Sequence, residues 1–185
     1  MHRKKLIVFA FEGKNNKTEM NYFHNFEAPS KDSIIKCFSS GYTDLKNMID
    51  STKSKRSRYD YNPKEDLTFI FVDEDSISYK KEYIDERRIK LSRDIHIIVS
   101  KPCFEMWFLN HFIQTTKFYT NNSLMNELKK YINDYHKNLD IYPIIKDRQD
   151  KAIINSLFQL KHISEDSSYT EVVNLFSQKI IKEKS

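Results

Sequence analysis

Glycine is scarce in this chain of 185 residues, which contains 2 glycines and 4 prolines. The loops between helices and strands are therefore expected to consist mainly of Asn, Asp, Ser and Lys. No glycine-rich phosphate-binding loop is present, which excludes a P-loop nucleotide hydrolase.

Cysteine is equally rare, because Cys37 and Cys103 are the 2 that occur. They form no CxxC or Cys/His spacing, and the 6 histidines show no zinc-binding spacing. No secretory signal precedes the first predicted strand, and every apolar run is much shorter than the roughly 18 residues of a membrane span. We therefore expect a reduced, cytoplasmic protein with no membrane partner.

Charge is unevenly balanced, with 31 Lys and Arg against 26 Asp and Glu and a sequence pI near 9.0. This excess favours a polyanionic partner such as nucleic acid. The most basic stretch is followed by two tyrosines, and it suits phosphate contact with base stacking, although a solvated loop is the alternative. The predicted nucleic-acid contacts are Lys53, Lys55, Arg56 and Arg58.

Strand and helix patterns alternate over the first two thirds of the chain. The apolar patterns predict strands over 5–11, 33–38, 67–72 and 94–100, with none after residue 100. They predict helices over 17–27, 42–54, about 77–91, 103–114, 123–138, 147–162 and 170–182, with a loop over 53–65. The order predicts one α/β domain over 1–185: a small, mainly parallel sheet of about four strands over 1–115 and a helical extension over 116–185.

Two of these strands run directly into carboxylates. The first is followed by Glu12, and the third by Asp73 and Asp75. Parallel strands end along one sheet edge, so these side chains converge if the two strands are neighbours. Converging carboxylates repel unless a cation neutralises them, and oxygen ligands of this kind suit Mg²⁺ or Mn²⁺. A solvated turn that caps the next helix is the alternative for the Asp pair, and an ordinary strand end for Glu12.

The segment after the fourth strand supplies two more candidates. Lys101 is placed to stabilise charge on a phosphoryl transition state. Glu105 lies in the first turn of a predicted helix that Pro102 opens, where it either associates with the metal or complements the helix dipole. His111, between phenylalanines, is interpreted as a packing residue.

Several of these segments together resemble the RloB-like family. They are Phe11-Glu12-Gly13, Thr18-Glu19, Asn21-Tyr22-Phe23, Asp73-x-Asp75, Pro102-Cys103-Phe104-Glu105-Met106-Trp107, His111-Phe112 and the tail from Ser167 to Phe176. The resemblance runs from about Lys5 to Phe176, and its most specific part is the Pro-Cys-Phe-Glu-x-Trp string.

The resemblance implies a Toprim-like fold, with a glutamate after the first strand acting as general acid or base and an Asp-x-Asp pair binding Mg²⁺. In this chain those positions are Glu12, Asp73 and Asp75. It further implies a nuclease that cleaves tRNA or DNA in anti-phage abortive infection, beside an ATPase partner. A regulatory Toprim-like module that docks on the ATPase without catalysis is the second interpretation, and strand synthesis is the third. Self-association is left open.

Three departures from the family pattern are visible. Gly13 and Thr18 are separated by the four residues 14–17, a longer spacing than is usual in the family. Lys101 stands where Asn is commoner, and Asn110 replaces an expected apolar residue, which puts the packing of its helix in question. No expected metal ligand is lost.

Overall fold

The computed structural model of the protein describes residues 3–13, 17–27, 29–74 and 81–181. The strands there are β1 (Lys5–Phe11), β2 (Ser33–Ser39), β3 (Leu67–Asp73), β4 (Ile95–Lys101) and β5 (Tyr169–Thr170). The helices are α1 (Lys17–His24), α2 (Leu45–Arg56), α3 (Lys81–Ile89), α4 (Glu105–Asn110), α5 (Asn121–Lys129), α6 (Tyr142–Ile145), α7 (Gln149–Lys161) and α8 (Val173–Ser177). Short 3₁₀ turns follow α2 and α6, at Ser57–Tyr59 and Lys146–Arg148.

The strands form one mostly parallel sheet in the order β2-β1-β3-β4-β5. β1 pairs in parallel with both β2 and β3, whereas β4 and β5 are antiparallel. The predicted α/β class, with flanking helices and a helical C-terminal part, is confirmed. The sheet has five strands where about four were predicted.

The unpredicted strand is β5. It is two residues long, too short for a hydrophobic pattern, and it exists because Tyr169 and Thr170 pair with Lys101 and Ser100 at the end of β4. The hydroxyls of Ser100 and Thr170 also share a hydrogen bond of 2.8 Å. A helix predicted over 170–182 is therefore wrong at its start, and α8 begins at Val173.

The central strands form because their residues are apolar on both faces. All residues of β1 from Leu6 onward are buried, and β3 is buried from Thr68 to Val72. Continuous burial of this kind is typical of strands covered by helices on both sides. These runs made β1, β3 and β4 predictable to within a residue at each end.

Several helices differ from their predicted bounds. α2 continues to Arg56, so the basic residues predicted to lie in a loop begin on a helix. α4 is shorter than predicted and begins at Glu105, so Pro102 lies before the helix rather than in its first turn. α5 ends at Lys129 rather than near residue 138.

The chain divides into two compact units, Met1–Val72 with Lys80–Ile98 and Asp73–Tyr79 with Val99–Ser185, each considered over its described residues. Both β3 and β4 pass from one unit into the other. This division differs from the predicted one at residue 115, and a single domain stays a prediction. Among the described residues, no helix is both long and apolar enough to cross a bilayer.

Each unit has its own aromatic core. In the first, the rings of Phe9, Phe23 and Phe71 pack with centroids 4.9–5.5 Å apart. In the second, Trp107 stacks on Phe176 at 5.2 Å. Aromatic packing at such distances stabilises beyond simple area burial.

Asn110 is accommodated in the second unit by a buried polar network. Its side-chain amide nitrogen donates to Ser156 Oγ at 2.6 Å and to Gln159 Oε1 at 2.7 Å, and its backbone carbonyl accepts from the Asn155 side chain at 2.8 Å. Asn110, where the family has an apolar residue, therefore connects α4 to α7 through hydrogen bonds.

Candidate metal-binding and catalytic site

Glu12 directly follows β1 and is half-buried. The next residue, Gly13, has φ of 75°, a left-handed conformation that favours glycine. Its N–H donates to Tyr42 O at 2.7 Å, and its carbonyl accepts from Gly41 N–H at 2.9 Å. The backbone after Glu12 is therefore tied to the residues that follow β2.

A further carboxylate in this unit was not predicted as a site residue. Glu19 lies in the first turn of α1, the helix that follows the Glu12 loop, and is buried with 5% of its surface exposed. Its burial makes Glu19 a carboxylate of the protein interior rather than of the surface.

Asp73 is the last residue of β3 and is half-buried. Asp75, the second member of the predicted pair, lies outside the described residues, so its placement stays a prediction. β3 and β1 are parallel neighbours, with Ile7 opposite Leu67 and Ala10 opposite Ile70. The predicted adjacency of the strand that precedes Glu12 and the strand that ends at Asp73 is thus observed.

Lys101 is the last residue of β4, and its ammonium group already has partners within the protein. Its ammonium lies 3.7 Å from Glu74 Oε1 and donates to the Glu165 carbonyl at 2.8 Å. Glu74 in turn accepts a hydrogen bond from the Tyr169 hydroxyl at 2.8 Å, and its N–H donates to Ser100 O. The predicted cation is therefore paired with the residue that follows Asp73.

Glu105 is almost fully buried at 2% exposure. One of its oxygens accepts from the Tyr135 hydroxyl at 3.2 Å, and it also hydrogen-bonds the Cys103 thiol. Burial raises the pKa of Cys103, and the charges of Glu105 and Asp73 raise it further. The negative charges of Glu105 and Asp73 therefore both act on the Cys103 thiol. Glu105 itself is buried and hydrogen-bonded within the protein.

The four predicted nucleic-acid contacts separate into different environments. Lys53 and Arg58 are exposed. Lys55 is half-buried, and its ammonium donates to Ser39 O at the end of β2.

Arg56, in contrast, is buried in a structural ion pair. It binds Asp94 Oδ2 at 2.7 Å and Thr68 Oγ1 at 2.8 Å, and its guanidinium lies 4.0 Å from the Tyr61 ring centroid. Burial would raise the pKa of Asp94, but hydrogen bonds from Ser92 and Tyr61 and the Arg56 charge outweigh it, and the pKa is lowered. Arg56 thus joins α2 to the starts of β3 and β4, and it is not available to a phosphate.

The donor chemistry at the strand ends suits a hard divalent cation. Glu12 and Asp73 each offer carboxylate oxygens, which Mg²⁺ prefers, and both are partly accessible to solvent. Each of these carboxylates, taken by itself, is a ligand of the kind that Mg²⁺ prefers.

The five-stranded, mostly parallel sheet with flanking helices makes this an α/β protein. The RloB-like protein family model matches residues 7–178, nearly the whole chain. The chain therefore belongs to the RloB-like family. No curated protein and no solved structure matches it significantly.

Proposed function

We propose that the protein is a Mg²⁺-dependent, Toprim-type nuclease that hydrolyses phosphodiester bonds in tRNA or DNA during anti-phage defence, in concert with an ATPase. The observation that carries the proposal is the parallel pairing of β1 with β3, two strands that end beside Glu12 and at Asp73. Family membership supports the same function.

In the proposed reaction, Glu12 accepts a proton from the attacking water, whose oxygen bonds to phosphorus as the bridging P–O bond breaks. The proton then passes to the departing oxygen, so Glu12 returns to its starting state. Asp73 and Asp75 would hold the ion together with Glu12. When bound, Mg²⁺ would neutralise the phosphate and stabilise the charge that develops in the transition state.

Lys101 and Glu105 take supporting roles in this proposal. The ion pair of Lys101 with Glu74 stabilises the turn that follows Asp73. Glu105 accepts hydrogen bonds from Cys103 and Tyr135, and Cys103 lies close enough to Asp73 to feel its charge. Both residues therefore act as positioning residues, through the conformation of the β3 end.

Incubation of the purified protein with tRNA, single-stranded DNA and duplex DNA tests the proposal, with Mg²⁺, with Mn²⁺ and with EDTA. We expect cleavage of one class of substrate that EDTA abolishes. Glu12→Gln should reduce the rate by at least about 100-fold, the lower end of a general-base contribution. Glu86→Gln removes the charge of an exposed glutamate on α3 and is the matched control.

The same assay distinguishes the alternative function. A regulatory module would bind the ATPase tightly and show no metal-dependent cleavage of any substrate. Undiminished cleavage by a folded Glu12→Gln protein would contradict the assigned role of Glu12.

A further inference from the structure

A second group of potential metal ligands lies in the first unit, outside the strand-end carboxylates. His24 ends α1, Glu27 follows three residues later, and Cys37 lies on the edge strand β2. The Nδ1 or Nε2, carboxylate and Sγ atoms that these residues offer all lie within 4.8 Å of one another. The sequence did not reveal the group, because Cys37 reaches it only through the packing of α1 against β2.

The three side chains are already held together by hydrogen bonds. His24 Nδ1 lies 2.7 Å from Glu27 Oε2, and the Cys37 thiol hydrogen-bonds the same carboxylate. The other carboxylate oxygen, Oε1, accepts the backbone N–H of Cys37 at 2.8 Å. One oxygen of Glu27 is thus fixed by the strand backbone, and the other faces the imidazole, which is how supporting contacts orient a metal ligand.

We propose that His24, Glu27 and Cys37 form a zinc-binding site that joins the end of α1 to the edge strand β2. One imidazole, one carboxylate and one thiolate are established zinc ligands, and three protein ligands leave a fourth position for solvent. The thiolate distinguishes this site from the strand-end site, whose carboxylate oxygens suit Mg²⁺.

Binding requires a small rearrangement and the loss of one proton. Two ligands of a tetrahedral zinc ion lie roughly 3.3–3.8 Å apart, so the His24 ring must move away from Glu27. The ring is free to do so, because 44% of the His24 side chain is exposed. The thiol proton goes to solvent as the S–Zn bond forms, and the imidazole binds as the neutral ring with its proton on Nε2.

The Cys37 thiol must lose its proton to bind zinc. Burial raises the pKa of Cys37, and the charge and hydrogen bond of Glu27 raise it further. The thiol is therefore protonated at neutral pH unless a cation compensates Glu27, and zinc uptake should release about one proton for each ion bound.

Titration of the purified, reduced and chelator-treated chain with Co²⁺ and then Zn²⁺ tests the site. We expect one Co²⁺ per chain with a thiolate-to-metal absorption band, displacement of Co²⁺ by Zn²⁺, and a higher unfolding temperature with Zn²⁺. Cys37→Ser should abolish the band although Cys103 remains. His24→Gln, at an exposed position, should weaken Zn²⁺ binding by more than about 10-fold.

His162→Gln is the matched control, since His162 is an exposed histidine at the end of α7. Its binding of Co²⁺ and Zn²⁺ should equal that of the unmodified chain. A band that survives in Cys37→Ser would overturn the proposal, as would Zn²⁺ affinity unchanged in His24→Gln or the absence of saturable binding. Circular dichroism of each variant checks that the fold is retained.

Discussion

The Tyr169 hydroxyl donates a hydrogen bond of 2.8 Å to Glu74 Oε2, and so connects the short strand β5 to the residue that follows Asp73. The two residues are 95 positions apart in the chain. Glu74 also faces the Lys101 ammonium. The C-terminal part of the protein therefore helps to fix the conformation at the end of β3, where a metal ligand is proposed.

Removal of this contact should affect both stability and catalysis. Tyr169→Phe leaves the ring in place and deletes the donor to Glu74, at a cost of about 1 kcal/mol in the free energy of unfolding. We expect lower nuclease activity, most clearly at low Mg²⁺ concentrations. A Mg²⁺ titration of the cleavage rate measures this effect. Tyr131→Phe, at an exposed tyrosine, is the control and should leave both quantities unchanged. Equal activity of Tyr169→Phe and the unmodified chain would show that the hydrogen bond to Glu74 does not contribute to catalysis.

Arg56 is expected to contribute to the free energy of unfolding rather than to nucleic-acid binding. Arg56→Ala leaves Asp94 buried without its charge partner, which should lower the free energy of unfolding by about 3 kcal/mol. Urea denaturation monitored by circular dichroism measures the effect. A loss below about 0.5 kcal/mol, as expected of surface substitutions, would contradict the structural role.

Lys53 and Arg58, which are exposed, should instead affect nucleic-acid binding. Each substitution to Ala should weaken binding of all sequences similarly and reduce the slope of log affinity against log salt by about 1. Fluorescence anisotropy over a range of salt concentrations checks this, with Lys129→Ala on α5 as a control of equal charge change. An unchanged slope of log affinity against log salt in both variants would show that these two residues do not contact the nucleic acid.

Acid should destabilise the second unit through His111. Burial lowers its pKa to about 4, against 6.5 for an exposed imidazole, and its Nδ1 lies 2.9 Å from the Trp107 carbonyl. Below pH 6.5 the His111 imidazole is protonated in the unfolded chain but stays neutral in the folded chain down to about pH 4. The free energy of unfolding therefore falls as the pH is lowered from 6.5 to about 4, by about 3 kcal/mol in all.

Urea denaturation across this pH range, followed by the fluorescence of Trp107, measures that loss. The indole lies 5.1 Å from the imidazole and is the single tryptophan of the chain, so it reports on this region. His111→Asn does not titrate and should show a smaller dependence on pH. The same dependence in both proteins would mean that other groups cause the acid sensitivity.

The fold was largely predictable wherever the signal is local. β1 and β3 are continuous apolar runs, and the carboxylates that follow them are adjacent in sequence. The packing role predicted for His111 agrees with its full burial against Trp107. The features that escaped prediction depend on partners far along the chain.

Three examples show this limit. β5 has no pattern of its own and forms by pairing with β4. Arg56 looked like part of a basic surface, because nothing local reveals its ion pair with Asp94, 38 positions away. Cys37 looked isolated, since His24 and Glu27 reach it only when α1 packs on β2.

The central claim is that Glu12 and the Asp73–Asp75 pair share one divalent ion. Binding of Mn²⁺ to the unmodified chain, Glu12→Gln, Asp73→Asn and the double variant, measured by electron paramagnetic resonance, tests it most directly. Because groups that bind one ion are strongly coupled, each single substitution should remove most of the binding, and the double should lose little more. Full Mn²⁺ binding by Glu12→Gln at the affinity of the unmodified chain would contradict the shared site.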